Sequence, residues 1–287
     1  MKRRSGVSKA TPARAARAAG KAGPSRSQRG PSRTEEAVEI IRDRILDLTL
    51  TPGVRIDDKL LMRQFGLGRT PAREAFNRVA TEGLIVIQRN RGAFVRPLDI
   101  QHVRQLFDAY GASERVIGYF CRTDHPGLAE DLQRIETQYE AAQSGMNFLD
   151  MTRLNSAFHR RIAEATENEY LFEHASRLYN HARRLSYFIY LTPGFALTSY
   201  EQLQDHISSD HNEIIDAVLR QDNAKLIDLL TDHALFFHQS IMEAIGGARG
   251  FTLPLGTDAT GKLRRTGKRA RPDSTPKDPR TRKRSSA

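Results

Sequence analysis

LTPGVRIDDKLLMRQFGLGRTPAREAFNRVATEGLIVIQRNRGAFV, residues 50–95, is the stretch whose reading decides the fold. Pro52-Gly53 interrupts a preceding helix, which opens at the capping-box spacing Ser32-Arg-Thr-Glu35 and carries Val38, Ile41, Ile45 and Leu48 at steps of three and four. Asp57 is placed to cap a second, short helix, DKLLMRQF, which ends at Gly66. Thr70 stands where an N-cap belongs and Pro71 where the first helical residue belongs, so a third helix is expected from Pro71 to Glu82, stopped by Gly83. LIVIQ, RNRG and AFVRP then read as strand, turn and strand. Helix, helix, turn, helix and hairpin is the order of a winged helix-turn-helix.

The third helix has two faces. At about 100° per residue, Ala72, Ala75, Phe76 and Val79 group on one side, and Thr70, Arg73 and Asn77 lie nearly opposite. The apolar face packs, leaving a polar, basic one to enter a major groove, where an arginine can contact guanine through two hydrogen bonds. Arg89 and Arg91 stand at the hairpin turn, suited to phosphate or minor-groove contact. The plain alternative is that these are solvated arginines on a small scaffold. The stretch resembles the DNA-binding domain of the GntR family of bacterial regulators, with its L-x-P-G-x-R-L, R-T-P-x-R-E-A, E-G-L and R-G segments. That resemblance implies DNA contacts from Lys59, Arg69, Thr70, Arg73, Arg91 and Gly92. It also marks a departure: Gly68 stands where the family usually has Ser or Thr, so a phosphate-binding hydroxyl is absent there.

Charge divides the rest of the chain. The total is +11 over 287 residues, yet residues 1–33 hold ten bases and no acid, and residues 247–287 hold twelve bases and three acids. Residues 34–97 come close to balance with eleven bases and nine acids, and residues 98–246 are acidic, with twelve bases and twenty-two acids. These four segments are the expected domain organisation: basic tail, DNA-binding domain, effector and dimerisation domain, basic tail. The tails lack apolar periodicity, are expected to be disordered in isolation, and either attract polyanions or only solubilise the ends. One cysteine, Cys121, excludes an intramolecular disulfide and fits a reducing compartment. No apolar run approaches the roughly 20 residues of a membrane span, so a cytoplasmic, nucleoid-associated protein with no membrane partner is expected.

Residues 98–246 read as six helices, near 99–121, 127–144, 148–166, 169–191, 199–221 and 223–245, broken at TDHPG, SGMN, TEN and TPGF. The fold class expected is therefore mainly α: a winged helix-turn-helix with a small β-wing, then an all-α antiparallel bundle. All nine histidines fall in this second segment. His159, His211 and His233 occupy apolar stripes on three different helices, whereas His206 and His238 should point elsewhere. Inward imidazoles suit Zn, Ni, Cu or Fe; equally, each could be a core histidine bonded to a carbonyl or hydroxyl. The region is similar to the FadR subfamily of GntR regulators, whose C-terminal FCD domain is a helical effector bundle, in many members with a metal held by D-x-x-x-H and two later histidines. The resemblance implies Asn155, His159, His211 and His233 as metal ligands, with Zn or Ni the cofactor, and Asn155 replaces the usual aspartate. It also implies a carboxylate-binding arginine where this chain has Tyr110, in Tyr110-Gly-Ala-Ser-Glu114. Arg183, at the rim of the stripe Leu171, Ala175, Leu178, Ala182 and Leu185, is a substitute effector contact or a solvated surface charge.

The function expected is a non-enzymatic transcription regulator, a repressor of a metabolic operon. It is a homodimer on a double-stranded DNA operator, controlled by a carboxylate effector in the bundle. Two alternatives were weighed against it: a metal-dependent hydrolase, which lacks H-E-x-x-H and has Arg160-Arg161 after His159, and a non-specific nucleoid-binding protein acting through its tails.

Overall fold

The computed structural model describes residues 32–191 and 197–247. The basic tails, and the expected break at TPGF, fall wholly or largely outside the described residues. The first core gathers α1 (Arg33–Leu46), β1 (Arg55–Ile56), α2 (Asp58–Phe65), α3 (Arg69–Thr81), β2 (Ile85–Gln88) and β3 (Gly92–Val95). Ala37, Ile41, Ile45, Leu61, Ala72, Ala75, Val79 and Leu84 are fully excluded from solvent and fuse the three helices to the sheet. The capping box at Ser32 and Glu35 forms as its spacing requires.

Three local readings need correction. The first helix stops at Leu46, and Leu48 lies beyond it with a positive φ of 61°, so Leu48 is not part of the helical stripe. Arg55-Ile56, read as part of a break, is a third strand: the sheet order is β1-β3-β2, antiparallel, with Arg55 opposite Phe94 and Ile56 opposite Ala93. The third helix starts two residues early, with Gly68 rather than Thr70 as N-cap. Proline at 71 permits this because none of the first three helical N–H groups has an intrahelical partner; the first such bond runs from Ala72 N–H to Gly68 O, 2.9 Å.

The second core is a bundle of α4 (Ile100–Phe120), α5 (Leu128–Ser144), α6 (Phe148–Glu164), α7 (Glu169–Tyr190), α8 (Leu197–Leu219) and α9 (Asn223–Gly247). Side-chain caps start α4, α6 and α7 at Asp99, Asn147 and Asn168. Gly118 lets α4 and α9 approach closely: a Cβ there would lie 3.0 Å from Ile227 Cα.

The two cores meet along α7. Arg184 is fully buried there, and its Nη2 donates to Arg96 O at 2.5 Å, while Arg96 Nε donates to Gly83 O. His181 Nε2 faces Glu82 O at 3.3 Å. Burial, with His102 and Arg184 beside it, pushes the His181 imidazole down to about 3. This joint ties the end of the recognition helix to the bundle. Among the described residues no helix is long and apolar enough to cross a membrane.

Candidate functional site

Two surfaces carry chemistry, one outside and one inside. On the outside, Arg69, Thr70, Arg73 and Asn77 are all exposed on α3 while Ala72, Ala75 and Val79 are buried beneath them. Lys59 is exposed on α2, and Arg89, Arg91 and Gly92 are exposed at the tip of the wing. The wing turn closes through Arg91 N–H to Gln88 O at 3.1 Å, with Asn90 at φ 62° and Gly92 at φ 98°. Sequence reasoning missed Arg55, whose guanidinium packs on Gly92 so closely that a Cβ there would stand 3.3 Å from Nε. Strand β1 puts it there, and a two-residue strand leaves almost no periodic signal. Gly68 makes no side-chain cap. Its φ of −65° is ordinary, and a Cβ would meet Pro71 Cγ at 3.3 Å, so the backbone does not demand glycine.

On the inside, His159 from α6, His211 from α8 and His233 from α9 converge, with one nitrogen from each lying within 4.8 Å of the others. All three are buried. His206 and His238 lie outside the group: His206 pairs with Asp210 at 3.6 Å and His238 stacks on Phe107 at 4.8 Å. Each converging imidazole meets a carboxylate through Nδ1. His159 faces Glu114 Oε2 at 2.9 Å, His211 faces Glu136 Oε2 at 2.6 Å, and His233 faces Asp210 Oδ2 at 2.8 Å. An Nδ1–H donated to an ionised carboxylate fixes the tautomer and leaves Nε2 as a free lone pair, the arrangement that orients histidine for a metal. The Nε2 atoms of His159 and His211 are in fact buried without a hydrogen-bond partner, as is Asn155 Oδ1. Leaving such groups unmet costs about 1–3 kcal/mol each.

Charge points the same way. Glu114 is completely buried and also accepts from Tyr179 Oη at 2.7 Å, and Glu136 is only 3 % exposed. Burial pushes the Glu136 carboxyl up to about 8, so at neutral pH it holds its charge only beside a cation. Protonated imidazoles could supply that positive charge. Yet burial and mutual repulsion hold His211 well below its ordinary range, and burial lowers His233. A divalent cation among the three Nε2 atoms would balance the carboxylates instead. The residues therefore fit a metal, and the neutral Asn155 is offset by three acids that hold the ligating rings. Those acids escaped sequence reasoning. Glu114 sits in an apolar stripe with Val103, Phe107, Tyr110 and Ile117, and a carboxylate in such a slot was the available signal.

Above the histidines is a cavity of about 20 Å³, room for one water molecule, lined by Tyr110, Asn155, Tyr179, Arg183, His233 and Phe237 among others. Tyr110 is 2 % exposed and its ring stands edge-on to those of His159 and Tyr179. Arg183 is half-buried rather than fully solvated, its Nε has no partner, and burial lowers its pKa. Sequence-expected Tyr110, Asn155, Arg183 and His233 thus line one cavity, with His159 and His211 grouped around His233.

Residues 33–95 match the family described as bacterial regulatory proteins, gntR family, and residues 114–236 match the FCD domain. The chain belongs to the GntR family. Its two matched segments give this GntR regulator the architecture of the FadR subfamily, a winged-helix domain followed by an FCD domain. It is 26 % identical over 212 residues to the HTH-type transcriptional repressor GlaR of Escherichia coli K12, an alignment covering 72 % of this chain and 94 % of GlaR. It is 24 % identical over 196 residues to the probable D-xylose utilization operon transcriptional repressor of Paenarthrobacter nicotinovorans, covering 68 % and 82 %. In fold it is similar to a GntR regulator structure from Rhodococcus sp. RHA1, with TM-score 0.61, 20 % identity and coverage of 75 % and 99 %. The E. coli McbR/YncC structure is similar too, with TM-score 0.62, 17 % identity and coverage of 76 % and 99 %. This chain is a DNA-binding transcription regulator and not an enzyme. The hydrolase and nucleoid-protein alternatives are not favoured.

Proposed function

We propose that this GntR regulator is a cytoplasmic homodimeric repressor whose operator affinity is set by a small carboxylate bound beside a metal in the bundle. Arg69, Thr70 and Arg73 read the major groove, Lys59 holds phosphate, and Arg91 and Gly92 bring the wing to the backbone. His159, His211, His233 and Asn155 hold a divalent transition ion, Zn or Ni by their nitrogen-rich set. A bound ion supplies a Lewis-acid partner for the effector's carboxylate. Arg183 supplies the cationic fork, and Tyr110 a hydroxyl. Val116, Tyr119 and Phe120, exposed along one face of α4, are offered to a second copy, which puts two reading heads on a near-palindromic site.

The observation that carries this reading is the convergence of three imidazoles with carboxylate-held Nδ1 atoms under the cavity, with the Nε2 atoms of His159 and His211 buried and unpartnered. The cavity is too small for a carboxylate, so binding must spread α6 and α7. Helix α7 touches α1, reaches Glu82 O at the end of α3 through His181, and reaches Arg96 O just after β3 through Arg184. Opening the cavity therefore shifts the reading head. Fluorescence anisotropy with DNA from the gene's own promoter tests the proposal. Salt-sensitive preference over random DNA is expected, together with an affinity change on adding a carboxylate from a screened panel that disappears with chelator. Equal binding to both DNAs, or no response to any carboxylate, contradicts it.

A further inference from the structure

A second opening lies between the two domains, about 670 Å³ in volume, walled by α1 and α3 on one side and by α6 and α7 on the other. Six arginines line it: Arg42, Arg78, Arg153, Arg160, Arg177 and Arg183. Two are neutralised within the protein. Arg42 pairs with Glu39 and Glu82, both at 2.5 Å, and Arg153 pairs with Asp150 at 3.0 Å. The other four are not. Arg160 spends its donors on neutral oxygens, Ser176 O at 2.9 Å and Asn180 Oδ1 at 2.8 Å. Among the described residues, Arg78, Arg177 and Arg183 have no carboxylate within 4.0 Å, Arg183 Nε is buried and unpartnered, and so is the hydroxyl of Ser176 on the same wall. The acids left to balance them, Asp43 and Glu173, are exposed at the margin. Burial is the chief cause that lowers the basicity of both Arg160 and Arg183, with Arg42 and Arg183 adding to it at Arg160 and Arg153 adding to it at Arg183.

We propose that this interdomain groove binds a small free polyanion, a di- or tricarboxylate or a phosphorylated metabolite, gripped by Arg78 from the reading head and by Arg160, Arg177 and Arg183 from the bundle. Guanidinium forks from two domains matched to one planar carboxylate or phosphate set make a clamp, since bidentate pairs add geometry to charge. A DNA phosphate is the less favoured occupant. Arg78 lies five residues past Arg73, about 140° around the helix, and faces the bundle instead of the groove-reading surface. A bound anion would lock the head against α6 and α7 and so select one spacing of the two heads. Because Arg183 lines both this groove and the cavity over the histidines, the two ligands draw on one guanidinium and should oppose each other. The groove site itself does not depend on the carboxylate reading of that cavity.

The test is isothermal titration of the full chain with pyrophosphate and with citrate at fixed ionic strength. The wild type is compared with Arg78→Gln/Arg177→Gln and with a tail control, Arg264→Gln/Arg265→Gln, that loses the same charge. Both groove positions are exposed, so the fold should survive, and Arg177→Gln alone provides a milder variant. Saturable binding of one anion per chain is expected in the wild type and the tail control. It should be at least tenfold weaker in the groove variant and unchanged by chelator. Equal binding in the groove and tail variants would overturn the proposal, as would the absence of saturable binding by both anions. Loss of operator affinity with a shallower salt dependence in the groove variant, with no anion binding, would overturn it in favour of DNA phosphate.

Discussion

The winged helix and the bundle use polar residues in opposite ways. In the reading head, the side chains of Arg69, Arg73 and Arg91 are exposed and have no ion-pair partner among the described residues, so water surrounds them, and DNA is proposed to replace that water. In the bundle, His159, His211 and Glu114 are almost entirely buried, and every ring nitrogen or oxygen needs a partner from another helix. A polar group on a surface costs nothing to leave unmet; a buried one costs about 1–3 kcal/mol. The head is therefore specified by one helix at a time, and the bundle site only by helices together.

The sharpest way to break that contrast is to remove one buried partner. His211→Ala leaves Glu136 buried without its imidazole and removes a proposed metal ligand, so a loss of about 3–5 kcal/mol is expected. Urea denaturation reads it, and a loss under 1 kcal/mol would mean the network is dispensable. In the head the equivalent change acts on recognition alone. Arg73→Ala should cost about 1–3 kcal/mol of operator discrimination with the melting temperature unmoved. Anisotropy against operator and single-base variants measures the first, and a thermal scan the second.

Where the two regions meet, pH gives the next largest effect. The folded-state pKa of His181, held down to about 3 by burial, lies below the ordinary 6.5. The unfolded chain therefore takes up the proton first as pH falls through 6.5. Stability is fully present above that value and drops by about 2 kcal/mol between pH 6.5 and 5. His181→Gln should flatten this part of the curve; an unchanged slope would assign the acid sensitivity to other groups. Smaller still, Asn155→Asp should tighten metal about tenfold, about 1.4 kcal/mol, and destabilise the chelated protein. Paired melts with and without chelator read both signs, and a variant destabilised under both conditions would argue for a core residue and no metal.

The contrast also explains what the sequence alone revealed. The face of α3 and the inward histidines follow from periodicity within single helices, and each was legible. The sequence places the start of α3 at Pro71 instead of Arg69 because proline is tolerated through the whole first turn, so Pro71 marks a helix start only to within two residues. Arg55 was passed over because a two-residue strand exists only through its pairing with β3. The carboxylates Glu114, Glu136 and Asp210, and the joint of His181 and Arg184 with the reading head, depend on which helices pack together. Nothing within one helix specifies that.

The account turns most directly on the metal content of the full-length protein purified without added chelator. Elemental analysis should find one divalent transition ion per chain in the wild type and none in His211→Ala, with chelation lowering the melting temperature of the wild type alone. A wild type free of metal, whose melting is indifferent both to chelator and to added Zn or Ni, would contradict it.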